Sequence, residues 1–392
     1  MANVLRVSRD GGRTWRLVLI PGTTRCSGGP LDAASDPWVS FGPDGTAYEI
    51  QNTYVRRPPE LQRRFGSAIG VRTSVSRDGG SHWSAPVVLA SDSPTAATEA
   101  DKPAVIADPR RPGVAYATWF ESTLTSSSVM FAKTTDAGRG WSSPSAIYTI
   151  PSSLGSAFAW GSQIVPLRRR ALVATFEVGP LPDNTNEILV TRSADRGRTW
   201  SEPRLIGTVR NREPFDPDSH QTVRTVPGGP SIAVDGAGVV YIAYGDIRDA
   251  HHGPILLTRS TDGARNFTRP RAVVTGPTQH FTPTIAARPN GVLGLSFYDF
   301  RDDRRHDHRL TTAYWFAISR DHGRAWQQLR LGRPFDALTA PVASRGSGPS
   351  GHFLGEYQGL TPAPGGFDAA FTRARSRTHH GPSDIFFAHI PR

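Results

Sequence analysis

The sequence predicts an all-β fold assembled from one short repeated unit, and three observations predict it. The phrase Ser76-Arg77-Asp78-Gly79-Gly80-Ser81-His82-Trp83 returns, with substitutions, at five other places. Its six aspartates, Asp10, Asp78, Asp136, Asp195, Asp262 and Asp321, recur at spacings of 58 to 68 residues, and a period of that kind marks a repeat architecture before any local secondary-structure reading. Gly 39, Pro 33 and a charged fraction of 20% suit many short strands and turns, while no run of ~10–12 residues carries helical periodicity.

Each part of the phrase has a physical job. An Asp carboxylate accepts bonds from backbone N–H groups a few residues on and holds a tight turn, and Gly supplies positive φ without a Cβ clash. The Ser or Thr hydroxyl adds a local bond, and Trp closes the turn with a large ring whose N–H needs a partner. Ser8 to Trp15 is the cleanest copy; Ser260 to Phe267 carries Ala264 for the second glycine and Phe for Trp. Apolar residues flank the copies, as Val4, Leu5 and Val7 before the first and Leu17 to Ile20 after it, so the phrase is a hairpin turn between two strands.

The phrase S/T-x-D-x-G-x-x-W/F resembles the Asp-box (BNR) repeat of the sialidase superfamily, and six copies over residues 8–326 cover most of the chain. The resemblance implies a six-bladed β-propeller of four-stranded antiparallel blades, with strands A to D from axis to rim and the box at each C–D turn. It implies one domain, residues 1–392, whose ring closes by joining strands from the two termini. Those termini supply one strand too many, so an incomplete seven-bladed ring is the alternative. The boxes themselves are structural in this family, shared by enzymes and non-enzymes.

Composition narrows the function classes. The 45 basic and 34 acidic residues give +11, almost wholly as arginine, since Lys102 and Lys133 are the lysines. Arg56-Arg57, Arg63-Arg64, Arg168 to Arg170 and Arg373 to Arg377 lie in different repeats without the interleaved aromatics of single-strand binders, so no nucleic-acid partner is expected. A positive field still draws anionic substrates. One cysteine, Cys26, excludes an internal disulfide framework. No stretch is long enough to span a membrane, so no insertion is expected. No signal peptide precedes the first strand, although the resemblance implies an extracellular protein. A monomer without cofactor or metal is expected: His251-His252, His306 with His308, and His379-His380 read as solvated loops, and Asp302-Asp303 beside Asp307 is a weak calcium pattern.

The second repeat shows the blade: Asp36 to Phe41 as A, a Gly42-Pro43-Asp44-Gly45 turn, Thr46 to Asn52 as B, Val71 to Ser76 as C, the box, then Ala85 to Ala90 as D. The other innermost strands are expected at 102–107, 162–166, 230–234, 283–287 and 353–359. A–B and C–D turns share one side, leaving the longer B–C loops and D–A connections, where function is expected, on the other.

On that side, Tyr244-x-Asp246-x-Arg248 and Tyr298-Asp299-x-Arg301 end adjacent B strands. Two guanidinium forks converging on a mouth would hold a carboxylate bidentately, with Arg373 as a third; alternatively each Asp pairs with its own Arg and pins a loop. Enzymes that the chain resembles use a late tyrosine nucleophile assisted by a glutamate, an early aspartate acid/base and three arginines. By place in the array this points to Tyr357, with Glu356 or Glu177 as assistant, and to Asp36 or Asp101. The family's Phe/Tyr-Arg-Ile-Pro phrase is absent. The resemblance therefore implies a hydrolase releasing a terminal sialic acid or related acidic sugar from a glycoconjugate, with a non-catalytic propeller binding glycan or protein by the same face as the alternative.

Overall fold

The computed structural model describes residues 2–60, 67–95, 98–123, 126–155, 157–210, 212–226, 228–343, 350–378 and 381–391, so Arg63-Arg64 and His379-His380 lie outside the described residues. The chain divides into two compact units, residues 1–178 with 191–203 and residues 179–190 with 204–392. Apart from residues 59–60, which are helical, the described residues form strands, turns and short 3-10 segments, and the strands make mainly antiparallel sheets of the β-propeller type.

The boxes close as their residue types require. In the second, Ser76 Oγ donates to Asp78 Oδ1 at 2.9 Å and accepts from Gly80 N at 2.9 Å. Asp78 Oδ1 accepts the N–H of Ser81 at 3.0 Å and of His82 at 2.9 Å, and Trp83 Nε1 donates to the Gly80 carbonyl at 3.1 Å. The hydroxyl-to-Asp bond recurs in the other five copies. These donors hold the Asp10, Asp78, Asp195 and Asp262 carboxyls well below the usual range.

In the first unit, Ala33–Phe41, Ala47–Val55, Ala68–Ser76 and Val87–Ala90 form one blade, and Glu99–Ala107, Ala115–Ser122, Ser127–Thr134 and Ser145–Thr149 the next. A parallel bridge, Ile69 to Glu99, joins them. Tyr48, Ile50, Val71, Val105 and Trp119 pack between these blades, while Trp83 closes over Ile20 and Ala47. Phe158–Pro166 and Leu172–Gly179 follow.

In the second unit, Thr185–Ser193 pairs with Arg204–Arg210 over residues 185–190 and 204–210. Ser231–Val234, Val240–Gly245, Ile255–Ser260 and Arg271–Val274 make a blade, as do Thr278–Ala287, Leu293–Asp299, Thr311–Ser319 and Gln327–Asp336. The last sheet holds Gly359–Ala363, Gly366–Thr378 and Gly381–Pro391.

Five innermost strands fall where the turns place them, and the sixth does not. The expected strand at 353–359 is replaced by Gly359–Ala363, which pairs with Gly366–Ala370. Gly351–Phe353 instead pairs with Val223–Arg224 in parallel and with Val342–Ala343. Glu356 and Tyr357 therefore sit in the connection ahead of the strand, not on it.

The innermost strands share a device that positions the site. A left-handed residue interrupts four of the five described above near their first third and precedes the other: Asp36 (φ 50°), Lys102 (φ 55°) and Gly161 (φ 60°) in the first unit and Thr282 (φ 51°) in the second lie inside their strands, and Gly229 (φ 51°) stands just before Ser231–Val234. The ladder slips at the same places, between Ser35 and Trp38, Asp101 and Ala104, and Phe281 and Thr284. Pro37, Pro103, Pro230 and Pro283 follow four of them; a residue without N–H suits a bulge where no ladder bond is made. Positive φ with a Cβ is costly, and strain of that kind gathers where side chains must be aimed.

Candidate functional site

In the first unit the bulges bring Asp36 and Asp101 to one place. Lys102 Nζ reaches Asp36 Oδ2 at 3.4 Å, while Lys102 N donates to Asp101 Oδ1 at 2.7 Å. Asn52 Nδ2 donates to the same Asp101 oxygen at 2.5 Å. Ser35 Oγ donates to Asp36 Oδ1 at 2.7 Å, which leaves its lone pair to accept the Tyr54 phenol at 2.7 Å. A hydrogen-bonded path thus runs from Tyr54 through Ser35 and Asp36 to the Lys102 ammonium, and the backbone N–H of the same Lys102 holds Asp101.

The charges in this cluster act on one another. Burial, with Asp36 and Asp101 nearby, pushes the Tyr54 phenol up to about 12, so it is a donor and not a phenolate. Burial and the adjacent Asp101 push Glu99 up, against the pull of Arg57. A buried phenol that stays protonated and a glutamate pushed up by burial, beside hydrogen-bonded carboxyls, are the material of general acid/base chemistry. The sequence puts Tyr54, Glu99 and Lys102 on the loop side expected to carry function but gives them no role in a site; the repeated residue-Pro step of the bulges is the signal that singles them out.

In the second unit, the Asp-x-Arg pairs are internal. Arg248 Nε donates to Asp246 Oδ2 at 2.7 Å, and Asp246 Oδ1 accepts Arg210 N at 3.1 Å. Arg301 Nε donates to Asp299 Oδ2 at 2.5 Å, its Nη2 to Gln328 at 2.9 Å, and its guanidinium lies 3.9 Å over the Trp315 ring. Arg373 lies inside the long hairpin opposite Asp384, 4.6 Å over the Phe386 ring. Tyr244 and Tyr298 are fully buried, and the Tyr298 hydroxyl is spent on the Thr372 carbonyl at 2.7 Å and Gln358 at 3.1 Å.

Glu356 finds a different partner. Its carboxylate meets Arg224 Nη2 at 3.2 Å, with the glutamate side chain 2% exposed and the arginine 19%. Arg224 also stacks 4.8 Å over Phe353. The short parallel pairing of Val223–Arg224 with His352–Phe353 holds this pair, and His352 is fixed by the Ala340 carbonyl and Gln221, each at 3.1 Å. Tyr357 follows, partly buried. Glu177 is fully buried on Leu172–Gly179 in the first unit. Among the described residues no group of three or more His, Cys, Asp or Glu could hold a metal ion, and no helix is long and apolar enough to cross a membrane.

No family model and no curated protein matches the sequence. Solved structures do match. The chain is similar to a Hadza microbial sialidase (17% identity, TM-score 0.53, covering 86% of this chain and 63% of that one). It is similar to an α-L-arabinanase of Penicillium chrysogenum (14%, 0.52, 91% and 93%) and to an α-L-arabinofuranosidase of Fusarium graminearum (13%, 0.54, 91% and 92%). The likeness is one of fold. This chain spans less than two thirds of the sialidase's length and nine-tenths of the two arabinan-directed enzymes.

Proposed function

We propose that the chain is a glycoside hydrolase. The observation that carries this reading is the cluster of Asp36 and Asp101 around Lys102 and Tyr54 in the first unit, with Glu99 close enough to Asp101 to be raised by its charge. Glu99 suits the proton donor: it protonates the glycosidic oxygen as the C–O bond breaks. Asp36 or Asp101 faces the positive charge that develops on the sugar and takes the proton of the attacking water. Fold-level likeness to a sialidase, an arabinanase and an arabinofuranosidase supports a carbohydrate substrate by analogy.

Within that class we favour a terminal acidic sugar. Within the second unit taken by itself, Arg224 backed by Glu356 and flanked by Phe353 offers a rigid fork suited to a carboxylate, and Tyr357, next in sequence to Glu356, is the nucleophile in an alternative to attack by water. A non-catalytic glycan-binding propeller is the second reading; the commitment of Arg248 and Arg301 to the aspartates of their own phrases favours it. The test is turnover of a panel of fluorogenic glycosides that includes a sialoside and an α-L-arabinofuranoside. Loss of all turnover in Asp101→Asn supports the hydrolase. Selective loss of sialoside turnover in Arg224→Ala and Tyr357→Phe supports the acidic sugar, and glycan binding without turnover supports the second reading.

A further inference from the structure

A cavity of about 210 Å³ opens between the A–B turns of two neighbouring blades in the first unit, at the box end of the strands and away from Asp36 and Asp101. Arg110, Arg111, Arg168, Arg169, Arg170 and Arg196 line it, and Asp108 is the one acidic residue among the lining. Asp108 is already engaged, since its oxygens accept Arg110 N at 3.0 Å and the Tyr116 hydroxyl at 3.3 Å. Arg110 Nη2 binds the Pro166 carbonyl at 3.0 Å and closes the gap between the blades. Arg196 Nε is buried and makes no hydrogen bond. Six cations around one satisfied carboxylate repel one another and set up a field that a counter-charge would relieve.

The backbone shows that this arrangement is held against local preference. In the A–B turns of other blades the left-handed position belongs to glycine: Gly45, Gly113, Gly238 and Gly291, with φ from 72° to 88°. Here it is occupied by Arg169 (φ 56°) and Arg170 (φ 70°). The box of the same blade places Arg196 (φ 64°) where three other boxes have Gly11, Gly79 and Gly263 and two have Ala137 (φ 60°) and His322 (φ 59°). The two turns are tied by Arg196 N donating to the Arg170 carbonyl at 2.8 Å, so three strained arginines share one wall. Lys133, whose Nζ caps the Arg196 carbonyl at 2.9 Å, is pushed down by burial and by Arg198, Arg196 and Arg111.

We propose that this pocket binds a tetrahedral oxyanion, a sulfate or phosphate group, at a site separate from any glycosidase centre. The volume lies below the ~300–1,000 Å³ of drug-sized ligand sites and suits one compact anion or the anionic end of a monosaccharide. Planar guanidinium forks match its oxygens two at a time. The test is calorimetric titration of the full chain with sodium sulfate and sodium phosphate at constant ionic strength balanced by chloride, with thermal unfolding alongside. Binding that weakens by roughly tenfold or more in Arg169→Gly/Arg170→Gly, while the unfolding temperature in chloride holds or rises because glycine fits the turn, supports the site. Arg196→Gly, which places at this position the residue of three other boxes, serves as the second variant and should give the same loss. A 6-sulfated monosaccharide binding more tightly than inorganic sulfate assigns the group to an ester, and the reverse assigns it to the free ion. No response beyond chloride, or equal responses in wild type and both variants, overturns the proposal.

Discussion

The imidazole Nε2 of His280 lies 3.7 Å from Asp299 Oδ2, and both side chains are almost wholly buried. His280 Nδ1 donates to the Gly253 carbonyl at 2.8 Å, so a neutral ring turns its Nε2 lone pair toward the carboxyl. Burial pushes Asp299 up to about 6 despite Arg301, and burial pushes His280 down to about 4.

Two opposed pH dependences follow. A raised Asp299 gives stability that is full below its unfolded value and is lost as pH rises through about 6; a depressed His280 gives stability present above its unfolded value and lost as pH falls through about 4. Between those limits the slopes oppose each other in the wild type. Asp299→Asn should leave stability rising with pH, and His280→Asn should leave it falling, each by about 1–2 kcal/mol across the window. Urea unfolding at several pH values reads the sign, and equal profiles in both variants would contradict the pairing.

The box hydroxyl is the cheapest place to measure a staple. Ser76 is buried and both donates to Asp78 and accepts from Gly80 N, so Ser76→Ala strands a buried N–H and should cost about 1–3 kcal/mol. The box carboxyls are depressed, so their contribution is present above the ordinary Asp range and is lost as pH falls through the folded values. Denaturant midpoints for Ser76→Ala and an acid unfolding curve check the two statements.

The bulge strain predicts a gain. Thr282 is β-branched at φ 51°, a conformation glycine adopts freely. Thr282→Gly should stabilise by about 0.5–1 kcal/mol, because relief of strain exceeds the added unfolded-chain entropy. A loss of stability of that size would mean that Thr282 makes contacts worth more than the strain.

What the sequence made legible is local. The bonds that close a box, from the Ser or Thr hydroxyl, the Asp carboxylate and the Trp N–H, join residues within eight positions, as Ser76 to Trp83 shows, so residue types and offsets were sufficient. The last innermost strand was misplaced because Gly351–Phe353 is extended and reads as a blade strand, yet its partner Val223–Arg224 is more than a hundred residues away. Lys102 reaches Asp36 across 66 residues and so brings Asp36 and Asp101 together, which no local pattern announces. Tyr298 ends an alternating strand like a site residue, but its hydroxyl finds Thr372 and Gln358 and it belongs to the core. The aromatic stacking of Arg301 on Trp315 depends on where the third strand lies beside the second, which the phrase Tyr298-Asp299-x-Arg301 does not encode.

The most direct test of the hydrolase reading is kcat/KM of wild type and Asp101→Asn on the fluorogenic glycoside panel, with the variant's unfolding temperature as control. The account predicts turnover of at least one glycoside by the wild type and a fall of roughly 10²–10⁴-fold in a folded variant. Wild-type inertness toward every member, or full activity in Asp101→Asn, would contradict it.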